Sequence, residues 1–133
     1  MANPNLQQSN SIFGNTAYIA PTGITATAAW TYNGTTALTG LTPAAGTVNK
    51  INSILVSNMT ALAATVSIAI ADNPTFGSGN PFYIVYQIAV PANATLIALD
   101  KTTPIYVTEN QSIGVTIGTA NALDIIANFE VVT

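Results

Sequence analysis

The sequence predicts an all-β fold, a two-sheet antiparallel β-sandwich of jelly-roll type with an extended N-terminal arm. From Tyr18 onward Thr, Val, Ile and Ala dominate, the residues that fit a pleated, half-buried surface. Turn residues recur at roughly eight- to twelve-residue spacing, the rhythm of short strands in a sandwich. Lys and Glu are too scarce to solvate the outer faces of helices. A closed barrel is the second choice.

Residues 1–16 read as the arm: Asn, Gln and Ser with Pro4 and no periodicity. Its apolar residues, Leu6, Ile12 and Phe13, are candidate anchors on a neighbouring surface, with a frayed terminus as the alternative. Residues 17–133 form the sandwich domain. Ile24–Tyr32 is expected as a strand that meets Asn33-Gly34, the preferred dipeptide of a two-residue type I′ turn. Thr35–Leu41 would return, weakened by Gly40 and Pro43. Lys50–Asn58 and Thr65–Ala71 follow on either side of a Met59–Ala64 connection, where a five-residue helix would be marginal. In the second strand Val66, Ile68 and Ile70 share one face, and Ser67 and Ala69 the other.

Asp72–Pro81 is a loop of Asn, Pro, Gly and Ser. Phe82–Val90 is a long strand stopped by Pro91, and Ala94–Leu99 is a short one. Pro104 opens Ile105–Thr108, where a missing N–H is tolerated. Ile113, Val115 and Ile117 alternate with Gly114, Thr116 and Gly118 in the clearest period-two pattern of the chain. Leu123–Val132 closes it, with Ile125, Ala127, Phe129 and Val131 inward.

Composition limits the chemistry. The chain has 133 residues, of which two are Lys and five are Asp or Glu, with no Arg, His or Cys. About a quarter charged is usual, so roughly thirty charges would be ordinary. Two lysines cannot neutralise a phosphate backbone or dock on anionic lipid, which argues against nucleic-acid and membrane partners. No Ser–His or Cys–His pair can form, and no imidazole or thiolate metal ligand is available. The N-terminus lacks the basic and apolar regions of a signal peptide, and no apolar run is long enough to span a bilayer. A soluble protein without cofactor or metal is expected.

Asp100 and Glu109, which flank Ile105–Thr108, are the one carboxylate pair worth weighing for acid–base work, and a local turn is the stronger reading. Asp72-Asn73 offers too few oxygen ligands and too little charge for calcium. Gly77-Ser78-Gly79 lacks the Lys and helix of a phosphate loop. The N-x-[ST] matches at Asn33, Asn58, Asn93 and Asn110 are what chance supplies in so Asn- and Thr-rich a chain. Among the aromatics, Phe76, Tyr83 and Tyr86 are candidate partner or sugar contacts, while Trp30 and Phe82 are expected in the core.

The second half carries a family pattern. Ile88-Ala89-Val90-Pro91-Ala92-Asn93-Ala94-Thr95 follows an aromatic strand, then come Asp100-Lys101 and Pro104-Ile105-Tyr106-Val107. Glu109-Asn110-Gln111-Ser112-Ile113 continues, and Ala120-Asn121-Ala122-Leu123-Asp124-Ile125-Ile126-Ala127 closes. With Val48–Ile54 as a first core strand, the stretch from Val48 to Val132 resembles small structural proteins of tailed bacteriophages. Where that pattern often has Asp before Ser-Ile, this chain has Gln111.

The resemblance implies a virion component with a compact β-sandwich, made in the host cytoplasm and placed on the capsid surface, and the short inventory of activated groups leads us to expect no enzymatic activity. A decoration or cement protein that binds the major capsid protein as a homotrimer is the leading expectation. A neck or tail protein is the first alternative, and a carbohydrate-binding tip using the aromatics near 76–86 the second.

Overall fold

A computed structural model describes residues 11–32 and 36–133. Among the described residues, ten strands make two antiparallel sheets: β1 (Ile12–Ile19), β2 (Ala29–Tyr32), β3 (Thr36–Thr39), β4 (Val48–Asn58), β5 (Ala64–Ala71), β6 (Pro81–Val90), β7 (Thr95–Leu99), β8 (Ile105–Val107), β9 (Ser112–Ile117) and β10 (Leu123–Val132). The larger sheet runs β3-β2-β1-β10-β4-β7, with β8 also paired to β4. β7 and β8 share β4 by taking Ile54–Ser57 and Asn49–Ile51 respectively. The smaller sheet has three strands, β6-β5-β9.

Alternating side chains bring the two inner faces together as one core. Ile51, Ile54 and Val56 on β4, and Ile125, Ala127 and Phe129 on β10, meet Val66, Ile68, Ile113, Val115 and Ile117 from the small sheet. Trp30 is fully buried beside them, and its indole N–H donates to the Ile113 carbonyl at 2.9 Å. That bond ties β2 in the large sheet to β9 in the small one and satisfies a polar group that would otherwise be costly to bury.

Three sequence expectations change. The boundary of the arm at residue 16 cuts through a strand: Ile12 to Thr16 pair with Val132 to Asn128 along the outermost part of the β1–β10 ladder. Leu6 and the other residues before Ser11 lie outside the described residues. Ile24–Tyr32 shortens to β2, because Pro21–Ala28 bends away and only Thr27 pairs, bridging to Val115 of β9. The return strand ends at Thr39 and not at Leu41, with Thr36 pairing Tyr32; the expected Asn33-Gly34 turn lies outside the described residues.

Asn58 fixes the corner between the sheets. Its amide donates to the Leu62 and Val90 carbonyls at 2.8 and 2.9 Å. Its oxygen accepts from the Thr60 N–H and hydroxyl. The Met59–Ala63 connection is therefore a hydrogen-bonded bend, and this Asn of an N-x-[ST] match has no free amide.

A candidate partner-binding surface on the small sheet

β6 lies at the open edge of the small sheet. The opposite edge, β9, is capped: Thr27 exchanges two backbone bonds with Val115, and the Ile113 N–H donates to the Gly40 carbonyl. β6 is bonded to β5 through a ladder that shifts twice, between Val66 and Ile68 and again between Ile68 and Ala69. Each shift inserts one extra residue on β6, a β-bulge that bends the strand. At the first, Gln87 adopts a φ of 49°, and its N–H donates to the Ser67 hydroxyl at 2.8 Å.

The bulges decide where the aromatics point. Tyr83 and Tyr86 are three residues apart and would fall on opposite faces of a regular strand. The extra residue between Tyr83 and Val85 reverses the alternation, so both tyrosines stand on the outer face. Their rings meet edge to face, with centroids 4.7 Å apart and planes at 72°. Both are more than half exposed. Phe82 pairs with Ile70 and Ile88 with Val66, on the core-facing side, yet they are 59% and 41% exposed. The expectation of a buried Phe82 is thus overturned: the core covers Val85 and Val90 of this edge strand but leaves Phe82 exposed. Trp30, by contrast, is buried as expected.

Phe76 is half-buried, and it closes the surface from the other side. The Asp72–Asn80 loop folds over the outer face of the small sheet. The Asp72 carboxylate accepts the Asn80 N–H at 2.6 Å and the Asn80 amide at 3.2 Å, and the Ser112 hydroxyl donates to the Asn73 carbonyl. These bonds hold Phe76 so close over Gly114 that a Cβ there would lie 2.5 Å from its ring. Between Phe76 and Tyr83 lies a cleft of about 240 Å³, floored by Ser67, Ala69, Gly114 and Thr116. A larger open groove of about 610 Å³ runs along the Tyr18–Thr31 bend and is lined by no charged residue.

The remaining candidates do not converge on this surface. Ile12 and Phe13 are exposed on β1 in the large sheet. The Asp100 carboxylate accepts from the Thr102 N–H and hydroxyl within its own turn. Hydrogen bonds from Thr102 hold its pKa below the ordinary carboxylate value, as bonds from Asn80 do for Asp72. Glu109 accepts the Gly46 N–H at 3.2 Å, tying the β8–β9 turn to the 44–47 turn. Among the described residues no three His, Cys, Asp or Glu side chains group as a metal site. No family model, curated protein or solved structure matched the chain.

Sequence reasoning picked out Phe76, Tyr83 and Tyr86 but not Phe82 and Ile88. The signal was present: Phe82–Val90 is apolar on both faces, which is the pattern of an interior strand. Alternation says how a strand's faces are used, and says nothing of how many neighbours it has.

Proposed function

We propose that this chain is a structural assembly protein that works through protein–protein contacts, and that it is a decoration or cement protein of a phage head. The observation that supports the reading best is an uncharged small sheet with exposed aromatic side chains. β5, β6 and β9 carry none of the seven charged residues; β4 and β10 of the large sheet carry Lys50, Asp124 and Glu130, and the other four lie in loops. The uncharged sheet also displays Phe82, Tyr83, Tyr86 and Ile88. Interface cores are depleted of charge and enriched in aromatic residues, because burying an unpaired charge is costly and burying an aromatic ring is favourable. The phage placement rests on the resemblance of Val48–Val132 and the strand-and-turn order it follows.

In this role the protein binds the assembled shell and not its free subunits, and stabilises the shell by the free energy of the added contacts. The test is co-sedimentation with purified phage heads, with the melting temperature of the heads as second readout. Saturable binding at hundreds of sites, with a raised melting temperature, is expected. Binding at only six or twelve sites would move the protein to the neck or tail, and no binding would remove the reading.

The Tyr83–Tyr86 pair beside the cleft favours a second reading, a carbohydrate-binding tip. Glycan-array binding lost in Tyr83→Ala, with no association with heads, would establish it in place of the first.

A further inference from the structure

β6 has the composition of an interior strand and the position of an edge. Pro81–Val90 contains one polar residue, Gln87, and no charge. Its large side chains are exposed on both faces: Tyr83 and Tyr86 outward, Phe82 and Ile88 on the core-facing side. Natural edge strands are usually defended by Lys, Pro or inward-pointing charge. Here the defences are the two bulges and Pro81 at the strand's start. A strand apolar on both faces lacks one neighbour, and another uncharged strand apolar on both faces would match it.

We propose that the missing neighbour is β6 of a second copy, the two strands lying antiparallel about a two-fold axis. The three-stranded sheet then becomes a six-stranded sheet across the pair. An antiparallel pair of identical strands is a closed contact: each copy uses its one open small-sheet edge, so the pair does not grow into a filament. The bulges keep the ladder short, so side chains supply most of the contact. The threefold cluster expected from the sequence would need two different patches that fit each other, whereas β6 offers one patch that fits itself.

Charge and area agree with this occupant. Two copies carrying a net −3 each can meet here without opposing like charges, since Asp72, next to the Ala71–Pro81 pair at one end of β6, falls at opposite ends of an antiparallel pair. A buried large side chain covers about 150–250 Å², so four that are half exposed supply roughly 400 Å². The paired backbone and flanking residues bring each copy toward the ~800 Å² of a standard interface. A dissociation constant on the order of micromolar is expected. The inference deepens the assembly reading by naming a copy-to-copy contact, and it does not require that the larger partner be a capsid.

Sedimentation velocity of the full chain tests it. The wild type should be a reversible dimer, and Tyr86→Lys should weaken the dimer at least tenfold. Ile97→Lys, an exposed apolar position on β7 of the other sheet, should leave it within about twofold. Tyr83→Lys repeats the test if the first variant loses its wild-type circular dichroism. A chain that stays monomeric at roughly 100 μM, a trimer, or an association broken by Ile97→Lys and not by the β6 variants would overturn the proposal. A dimer that fails to bind phage heads would leave this inference standing and remove the proposed function. A monomer that binds heads would do the reverse.

Discussion

Gly114 and Phe76 share one space at the centre of the small sheet's outer face. The ring lies where a Cβ would be, so the absence of a side chain at 114 is what lets the loop close over the sheet. Gly114→Ala should cost about 1–3 kcal/mol, the usual penalty of overpacking. In a double-mutant cycle with Phe76→Ala most of that cost should vanish, and additive effects in chemical denaturation would contradict it. Trp30→Phe should cost about 1–3 kcal/mol, because the buried Ile113 carbonyl loses its donor; an unchanged denaturation midpoint would refute this. The Asp72 carboxyl is held below its ordinary value of 3.8 by the bonds from Asn80. A lowered folded pKa means its contribution is present above that ordinary value and is lost as pH falls through the folded one. The stability difference between wild type and Asp72→Asn should therefore shrink below about pH 4. A difference constant down to pH 2 would show that the carboxylate bonds do not contribute.

Strands were legible in the sequence where a periodic pattern coincided with coverage on one side. β9 and β10 follow their alternation because one face of each meets the core. Ile12–Thr16, the first five residues of β1, read as arm because Gly14, Asn15 and Thr16 stand in mid-strand, and their evidence of pairing lies in β10, more than a hundred residues away in the chain. The front half of Ile24–Tyr32 is apolar enough for a strand, but Pro21–Ala28 is spent turning toward β9. The correction to β1 changes what a truncation would mean. Deleting residues 1–16 removes Ile12–Thr16 from the ladder, so it should lower the melting temperature by more than about 4 °C, equivalent to over 1 kcal/mol. If the melting temperature is unchanged, those five residues contribute nothing to the sheet. Only a deletion ending at Asn10 can test the arm separately from the fold.

At the scale of the molecule, the scarcity of charge is less informative than its placement. Composition leaves two Lys and no Arg, His or Cys, but it cannot say how the few charges are placed. The structure adds that β5, β6 and β9 carry no charge, and that β6 exposes Phe82, Tyr83, Tyr86 and Ile88, while Phe13, Tyr18 and Tyr106 are exposed on the large sheet. An interface built there gains its stability from apolar burial and not from charge pairs, and the two differ in their response to salt. Exposed charges separated by more than a Debye length, about 10 Å at 0.1 M salt, are screened, and contacts that depend on them weaken. Apolar contacts hold, and excluded salts such as sulfate strengthen them. Self-association of the chain should therefore change less than about twofold in Kd between 0.05 and 0.5 M sodium chloride, and tighten in sodium sulfate at equal ionic strength. A Kd that rises tenfold or more with sodium chloride would place the contact on the large sheet's outward face, where Lys50, Asp124 and Glu130 lie, and not on the uncharged face of β6.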